Sequence, residues 1–501
     1  MNTSGTAGLT QTLDTAQTTL ESPQLQEKKE TQTDTLIRLA SELKLFLNQY
    51  NEAYAVIESS GKREIQKIGS KALDRWLMRQ YFADFNSPPS PDAIKQTNRV
   101  LMMKAHEEEL VYPLHLRIAH HQDSIYYDNG DVSGSVIKIS NEGYRVEAQP
   151  PILFHRTLNV APQSLPAAGG KLSDILQHVR IKDEWDELLF MIYLVTCFIP
   201  GIPHPALIFS GEKGAAKTTS TRIIRSLVDP AKQDTTFLPS GTGDLALSLS
   251  KNYMLCLDNL DSLTAEKSDL LCTAVTGGGI SKRKLFTDDE EVILSFKRCI
   301  VLNGIHVVAS RPDLLDRSIL IELERIEEKD RKEESTIWAD FEAAKPCILG
   351  AIYDLVGKAM KLYPSVQLPE LFRMADFTRW GYAVAEAAGL DGNLFLEAYK
   401  ANITRTNTEA IESNPVATAI CVLMDKQPEW HSTVTGLLDA LENVAFHERI
   451  NTKARMWPKA AHILSRRLGE VKSNLEKRGI TFDIKNEGPA KFITIEKKPA
   501  E

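Results

Sequence analysis

No CxxC pair occurs among the six cysteines of this 501-residue chain, and no Cys/His cluster has metal-ligand spacing. That argues against a zinc-stapled or disulfide-stapled protein. Cys197, Cys256, Cys272, Cys299, Cys347 and Cys421 sit mostly inside apolar runs. Buried free thiols in a reducing cytoplasm are the expected state. No apolar run reaches the roughly 20 residues that a bilayer span needs. The most apolar one, LLFMIYLVTCFIPGIP, breaks at Pro200 and reads as a buried helix, so no membrane partner is expected. No secretory leader is visible in MNTSGTAGLTQT. No aromatic precedes Phe46, and the Thr- and Gln-rich residues 1–33 are expected to form a disordered tail. An overall basic excess is also lacking, since the formal net charge is -8. Any nucleic-acid binding must therefore come from a local patch.

What is present is a soluble-protein composition, 43% hydrophobic and 25% charged, long enough for about three domains. LIRLASELKLFLNQYNEAYAVI, EIQKIGSKALDRWLMRQYFADF and DAIKQTNRVLMMKAHEEE have helical apolar spacing and predict a three-helix region over 34–111. Short alternating runs such as SIYYDNG, SVIKIS and YRVEAQ predict a small β-rich module and a Pro/Gly linker over 112–171. Over 172–330 strands and helices alternate, the signature of an α/β parallel sheet flanked by helices. A helical region follows over 331–413. The last block, 414–501, has three helical patterns and two alternating strands, ITFDI and KFITIE, which predict a winged helix.

Between the strand ALIFS and the helix TTSTRIIRSLV lies GEKGAAKTT. A phosphate-binding loop needs inward backbone N–H groups, a helix N-terminus, a lysine and a hydroxyl for magnesium. Gly211 and Gly214 permit the tight turn, Lys217 reaches the terminal phosphates, and Thr218 supplies the metal ligand. Glu212, Lys213, Ala215 and Thr219 complete the lining. Ala216 stands where a glycine is usual, which is acceptable at negative φ and costly at positive φ. YMLCLDNLDSL ends a buried strand in Asp258, an acid placed for magnesium or, alternatively, for capping the next helix. CIVLNGI ends at Asn303, an amide that could orient water or simply turn the chain. Arg311 and Arg317 follow, either as surface ion pairs or as charges for a neighbouring subunit's transferring phosphate.

In this order GEKGAAKTT, LDNLDSL, TGGGISKRKLFTDDEEV, VLNGI and RPDLLDRS resemble the AAA+ core of superfamily 3 helicases. More narrowly, they resemble the helicase half of the primase-helicases of phages and mobile elements, over about 112–500. The resemblance implies an ATP- and Mg2+-dependent ring, commonly a hexamer, that translocates on single-stranded DNA. It implies Lys217 and Thr218 as the nucleotide-loop pair, Asp258 as the second acidic motif, Asn303 as first sensor and Arg317 as trans-acting finger. One departure is Asn259, where related ATPases carry a second acid that polarises water; Asp261 or Asp258 itself is then the alternative. No primase constellation is legible, so a separate primase would have to supply priming.

Two basic elements are the candidate DNA contacts. ISKRKLF and VILSF predict a hairpin around the acidic turn TDDEE. Lys282 and Lys284 share one face and Arg283 the other, so the strand rather than its tip would follow phosphates. The third helix of the last block carries Arg466 and Arg467 within an excess of basic residues. The alternative to a motor is a switch ATPase, an initiator, loader or defence-type protein that hydrolyses ATP without processive unwinding. The basic hairpin favours the motor.

Overall fold

The computed structural model describes residues 30–59, 62–260, 263–283, 291–304, 312–454, 456–487 and 490–498. Two compact units result, one from Met1–Leu43 with Ile68–Lys104 and one from Lys44–Lys67 with Ala105–Glu501.

The smaller unit is helical. Its first helix, Gln32–Leu39, starts at a capping box between Thr31 and Asp34. Leu36 of this helix and Leu73 and Leu77 of the helix Lys71–Phe85 are fully buried. Part of the predicted three-helix region is not helical, however. Lys44–Leu47, Ala53–Ser59 and Lys62–Lys67 form a three-stranded antiparallel sheet, and they belong to the larger unit. The reason is a turn at Asn48–Asn51. The Asn48 side chain accepts the N–H groups of Tyr50 and Glu52, each at 2.9 Å. Asn51 sits at φ 61, a left-handed value that asparagine tolerates. The turn interrupts the helical spacing, and β-branched Val56 and Ile57 then suit a strand.

In the larger unit Ile118–His121, Ser124–Asp128, Val136–Ser140 and Gly143–Glu147 form an antiparallel sheet in sequence order. One face, with Ile125, Tyr127, Ile137 and Ile139, joins the main core. The predicted linker is packed rather than loose. Gln163 donates to the Tyr127 hydroxyl at 2.9 Å and to the Leu227 carbonyl at 2.7 Å. Gly170 and Gly350 let this linker lie against the long helix Glu334–Leu362; a Cβ on Gly350 would stand 2.0 Å from the Ala167 carbonyl oxygen.

The central sheet is parallel, in the order Met254–Leu260, Cys299–Gly304, Ala206–Ser210, Ser318–Glu322. Thr236 bridges in parallel to Leu257 on the outer edge. Near-continuous apolar strands such as LCL and CIVL are what a sheet covered on both faces requires. The helix Glu184–Thr196 is buried as expected from its apolar run, with Phe190, Ile192 and Tyr193 at 0% exposure. Five cysteines are buried and free; Cys347 is partly exposed. Burial pushes the Cys256 and Cys272 thiols up to about 12.

The C-terminal block has its own core around Leu437, Leu441, Leu464 and Leu468. Its helices are Pro415–Asp425, Val434–His447 and Ala461–Lys477. Its sheet has three strands, not two, because Glu429–Thr433 pairs with Ala490–Lys497 beside Ile480–Glu487. The short EWHST run has one apolar residue and gives little strand signal by itself.

Candidate active site

The loop between Ala206–Ser210 and the helix Lys217–Val228 turns as its glycines predict, with Gly211 at φ 140 and Gly214 at φ 89. A Cβ on Gly211 would stand 2.9 Å from the Leu323 carbonyl oxygen, so glycine is required there for closeness as well as for φ. Ala216 falls on the costly side of its alternative. It is left-handed, φ 53 and ψ 30, at the residue before the helix. An alanine held there is strained by about 1–2 kcal/mol. Ala215 is buried at 3% exposure and anchors the loop, whereas Glu212, Lys213, Gly214 and Thr218 are exposed. Lys217 donates to the carbonyls of Gly211 (2.7 Å) and Glu212 (2.9 Å), and burial lowers its pKa. Thr219 is half-buried in the first helical turn.

Sheet order brings three distant residues together. The strand Cys299–Gly304 inserts between the loop strand and the strand bearing Asp258, with Asn303 opposite Phe209. Asp258 Oδ1 accepts from the Thr218 hydroxyl at 3.1 Å, from Asn303 Nδ2 at 2.5 Å and from the Asn259 N–H at 2.9 Å. Asn303 Nδ2 also lies 3.4 Å from Thr218 Oγ1. Asn303 is 3% exposed, so its amide orientation is set by these partners. Asp258 and Asn259 occupy an irregularity in the pairing between Leu257 and Leu260. Asn259 is left-handed there, φ 53, and exposed. A bulge re-aims the Asp258 side chain off the regular pleat and toward Thr218. Asp261 lies outside the described residues.

The Thr218 hydroxyl and the Asp258 carboxylate fit magnesium by chemistry and spacing. Both are hard oxygen donors, and neighbouring oxygens around an octahedral ion with bonds of about 2.1 Å stand roughly 3 Å apart. Among the described residues no group of three or more His, Cys, Asp or Glu could hold a metal.

Arg317 is 18% exposed and engaged within its own chain, ion-paired with Asp313 and donating to its carbonyl at 2.8 Å. Burial raises the Asp313 pKa, but Arg317, Cys272 and Arg373 outweigh it and hold the carboxyl low. Arg373 also pairs with Asp316, which in turn holds Lys477 of the C-terminal block. Arg311 lies outside the described residues. The hairpin strands are Gly278–Arg283 and Glu291–Phe296, placing Lys282 opposite Val292 and Arg283 opposite Glu291. Lys284 and the side chains of Lys282 and Arg283 lie outside the described residues. In the last block Arg466 is exposed, but Arg467 is half-buried against Glu470 at 2.7 Å. Lys472 lies near Glu476 and over the Phe482 ring.

Two cations at the loop had no sequence signal, because more than a hundred residues separate them from it. Arg325 pairs with Glu212 at 3.0 Å. The Arg331 guanidinium lies 3.9 Å from where a Gly214 Cβ would stand.

Fold and site together define a mixed α/β protein whose polar cluster lies at the C-terminal edge of a parallel sheet, where ligands of such folds bind. Residues 173–409 match the family described as actinomycete integrative conjugative element replication protein, and residues 416–501 match the C-terminal domain of that RepA. The chain is a replication protein of a mobile element. No curated protein matches it. Two apo structures of the NrS-1 C terminal region are similar at low identity. One has 10% identity and a TM-score of 0.39, covering 91% of this chain and 97% of that chain. The other has 11% identity and a TM-score of 0.41, covering 92% and 98%. Among the described residues no helix is long and apolar enough to cross a membrane.

Proposed function

We propose that this replication protein is an ATP-driven DNA motor, a P-loop ATPase of the AAA+ type that works as a homo-oligomeric ring on single-stranded DNA. The observation that carries the reading is the cluster of Thr218, Asp258 and Asn303 beside a glycine loop and a helix start. Loop N–H groups and the helix N-terminus would bind the phosphates of ATP, with Lys217 leaving the loop carbonyls for the terminal phosphates. Thr218 and Asp258 would hold Mg2+, which when bound neutralises charge on the transferring phosphate. Asn303, fixed by Asp258, would orient the attacking water. Asn259 cannot act as a base, so Asp258 or Asp261 would polarise it.

Arg317 would serve a neighbouring subunit, in a ring of about six. Its pairing with Asp313 supplies a resting partner from which an adjacent nucleotide can draw it. The chain of pairs from Asp313 through Arg373 and Asp316 to Lys477 would link that arginine to the C-terminal block. That block would act as a winged helix, a reading supported by its three helices and antiparallel sheet; exposed Arg466 would touch duplex DNA while Arg467 stiffens the helix. Lys282, Arg283 and Lys284 would follow the single strand inside the ring. Priming would come from a separate primase.

ATP turnover with forked DNA tests the reading. Wild type should hydrolyse ATP and separate the strands, and Lys217→Ala should do neither while melting like wild type. Equal turnover in Lys217→Ala removes the nucleotide site. ATP hydrolysis without unwinding or translocation favours the switch instead.

A further inference from the structure

A cleft of about 650 Å3 opens at the end of the parallel sheet opposite the candidate active site. Tyr253 and Arg298 immediately precede parallel strands at their N-terminal ends, and Gly201 lies in the loop leading to a third, whereas Gly211, Asp258 and Asn303 stand at the C-terminal ends. The remaining walls come from the turn at Tyr50, from His115 and His120 of the β-rich module, and from the foot of the basic hairpin at Lys297. No carboxylate is among the lining residues, although the chain carries a net charge of -8.

Arg298 is the reason to expect an anion. Its guanidinium donates only to carbonyls, those of Leu249 at 2.8 Å and Lys297 at 2.9 Å. Among the described residues no carboxylate is ion-paired with it; burial lowers its pKa, and Asp229, which acts on it electrostatically, is already paired with Arg117 and Arg225. Arg298 is partly exposed, and a partly buried charge whose nearest carboxylate is shared with two other arginines gains from a bound anion. The adjacent Lys297 ammonium is held at the rim by the Gly201 carbonyl, 2.7 Å away. Two glycines of the TGGG run set up this arrangement. Gly277, at φ 94, leaves room for the lysine stem, because a Cβ would stand 2.6 Å from Lys297 Cε. A Cβ on Gly279 would stand 2.5 Å from the Leu294 carbonyl oxygen, so glycine also keeps the hairpin strands close.

The other groups suit a nucleotide chain better than a lone inorganic ion. Tyr50 is a 39% exposed aromatic available for stacking. Burial, with His121 nearby, pushes the His115 pKa down, so that ring is a neutral hydrogen-bonding group at pH 7. Cations for phosphates beside an aromatic face are the means by which proteins hold single strands without reading sequence. The strand bearing Lys282 begins at this foot, four residues back at Gly278, about 13 Å at strand rise.

We propose that this cleft is a single-stranded DNA site continuous with the basic hairpin, in which Arg298 and Lys297 hold phosphates and Tyr50 stacks on a base. The site rests on the DNA-motor reading above, and it gives the β-rich module a task, forming one wall of the strand's path.

The test uses the full chain and fluorescein-labelled oligothymidine, with anisotropy measured across a salt series. Lys297→Glu combined with His120→Glu should weaken binding about tenfold or more and make the log–log salt slope shallower by roughly one unit. A benzoylphenylalanine in place of Tyr50 should photo-crosslink to the oligonucleotide. This crosslink decides the question if the double variant melts early. Should wild type fail to bind oligothymidine, both the motor reading and the cleft fall. Should wild type bind and Lys282→Ala weaken it, while the cleft variant keeps full affinity and slope and position 50 does not crosslink, the cleft alone falls. Protection of position 50 by ATP but not by unlabelled oligothymidine also overturns the DNA assignment.

Discussion

Asn303 and Asp258 should behave as one unit, and a double-mutant cycle on ATP turnover can measure how strongly. Asp258 Oδ1 accepts the Asn303 amide at 2.5 Å, and that amide is 3% exposed. Asn303→Ala deletes the donor, Asp258→Ala deletes the acceptor, and either change ends the bond that joins the two groups beside Thr218. A hydrogen bond to a charged acceptor contributes about 1.5–3 kcal/mol. Asp258 is itself partly open to water, which lowers the expectation to about 1–2 kcal/mol. At about 1.4 kcal/mol per factor of ten, the double variant should retain roughly 5- to 30-fold more kcat/KM than the product of the two single losses predicts. Steady-state ATPase assays on wild type, both single variants and the double variant give the cycle. Losses that multiply to within about 0.3 kcal/mol would refute the claim that the two side chains act through each other.

Ala216→Gly should stabilise the protein slightly. It relieves about 1–2 kcal/mol of left-handed strain and returns roughly 0.4–1 kcal/mol as unfolded-chain entropy; Ala216→Val should lower the unfolding temperature, and the reverse order would count against the φ of this residue. Mixing Arg317→Ala subunits with Lys217→Ala subunits should restore part of the ATPase activity, since some interfaces then pair an intact loop with an intact arginine; mixed assemblies that stay inactive would rule out a trans role. Arg117, whose side chain is 1% exposed, pairs with Asp229 at the end of the loop helix, so Arg117→Met should cost about 3–5 kcal/mol. Burial raises the Asp229 pKa, but Arg225, Arg117 and the Met254 N–H outweigh it and hold it low. The stability from that carboxylate is therefore present above its unfolded pKa of about 3.9 and lost as pH falls through the folded value. The deficit of Arg117→Met in thermal unfolding should accordingly be larger at pH 7 than at pH 3.

Legibility followed the range of the interactions. The strand–loop–helix at Gly211–Thr218, the buried strands ending at Asp258 and Asn303, and the helix Glu184–Thr196 follow from local apolar pattern and glycine spacing, which are properties of neighbouring residues. The sheet at Lys44–Lys67 did not, because its apolar spacing fits a helix until Asn48 and Asn51 make their turn. The third strand of the C-terminal sheet was also hidden, since Glu429–Thr433 is mostly polar and becomes a strand by pairing with Ala490–Lys497. Charge was the least legible property. The excess in the last helix is partly consumed by Glu470 and Asp316, one of them a hundred and sixty-one residues from its lysine.

By itself the sequence determined which side chains could take part and the order in which they occur. Tertiary structure decided which of them meet. Placing the strand Cys299–Gly304 between Ala206–Ser210 and Met254–Leu260 is a matter of sheet order, which no local pattern encodes, and it joins Asn303 to Thr218 across eighty-five residues. It also decided the conformation of Ala216. The amino-acid type states only what a left-handed φ would cost; the loop's closure between a buried strand and a buried helix fixes that it occurs.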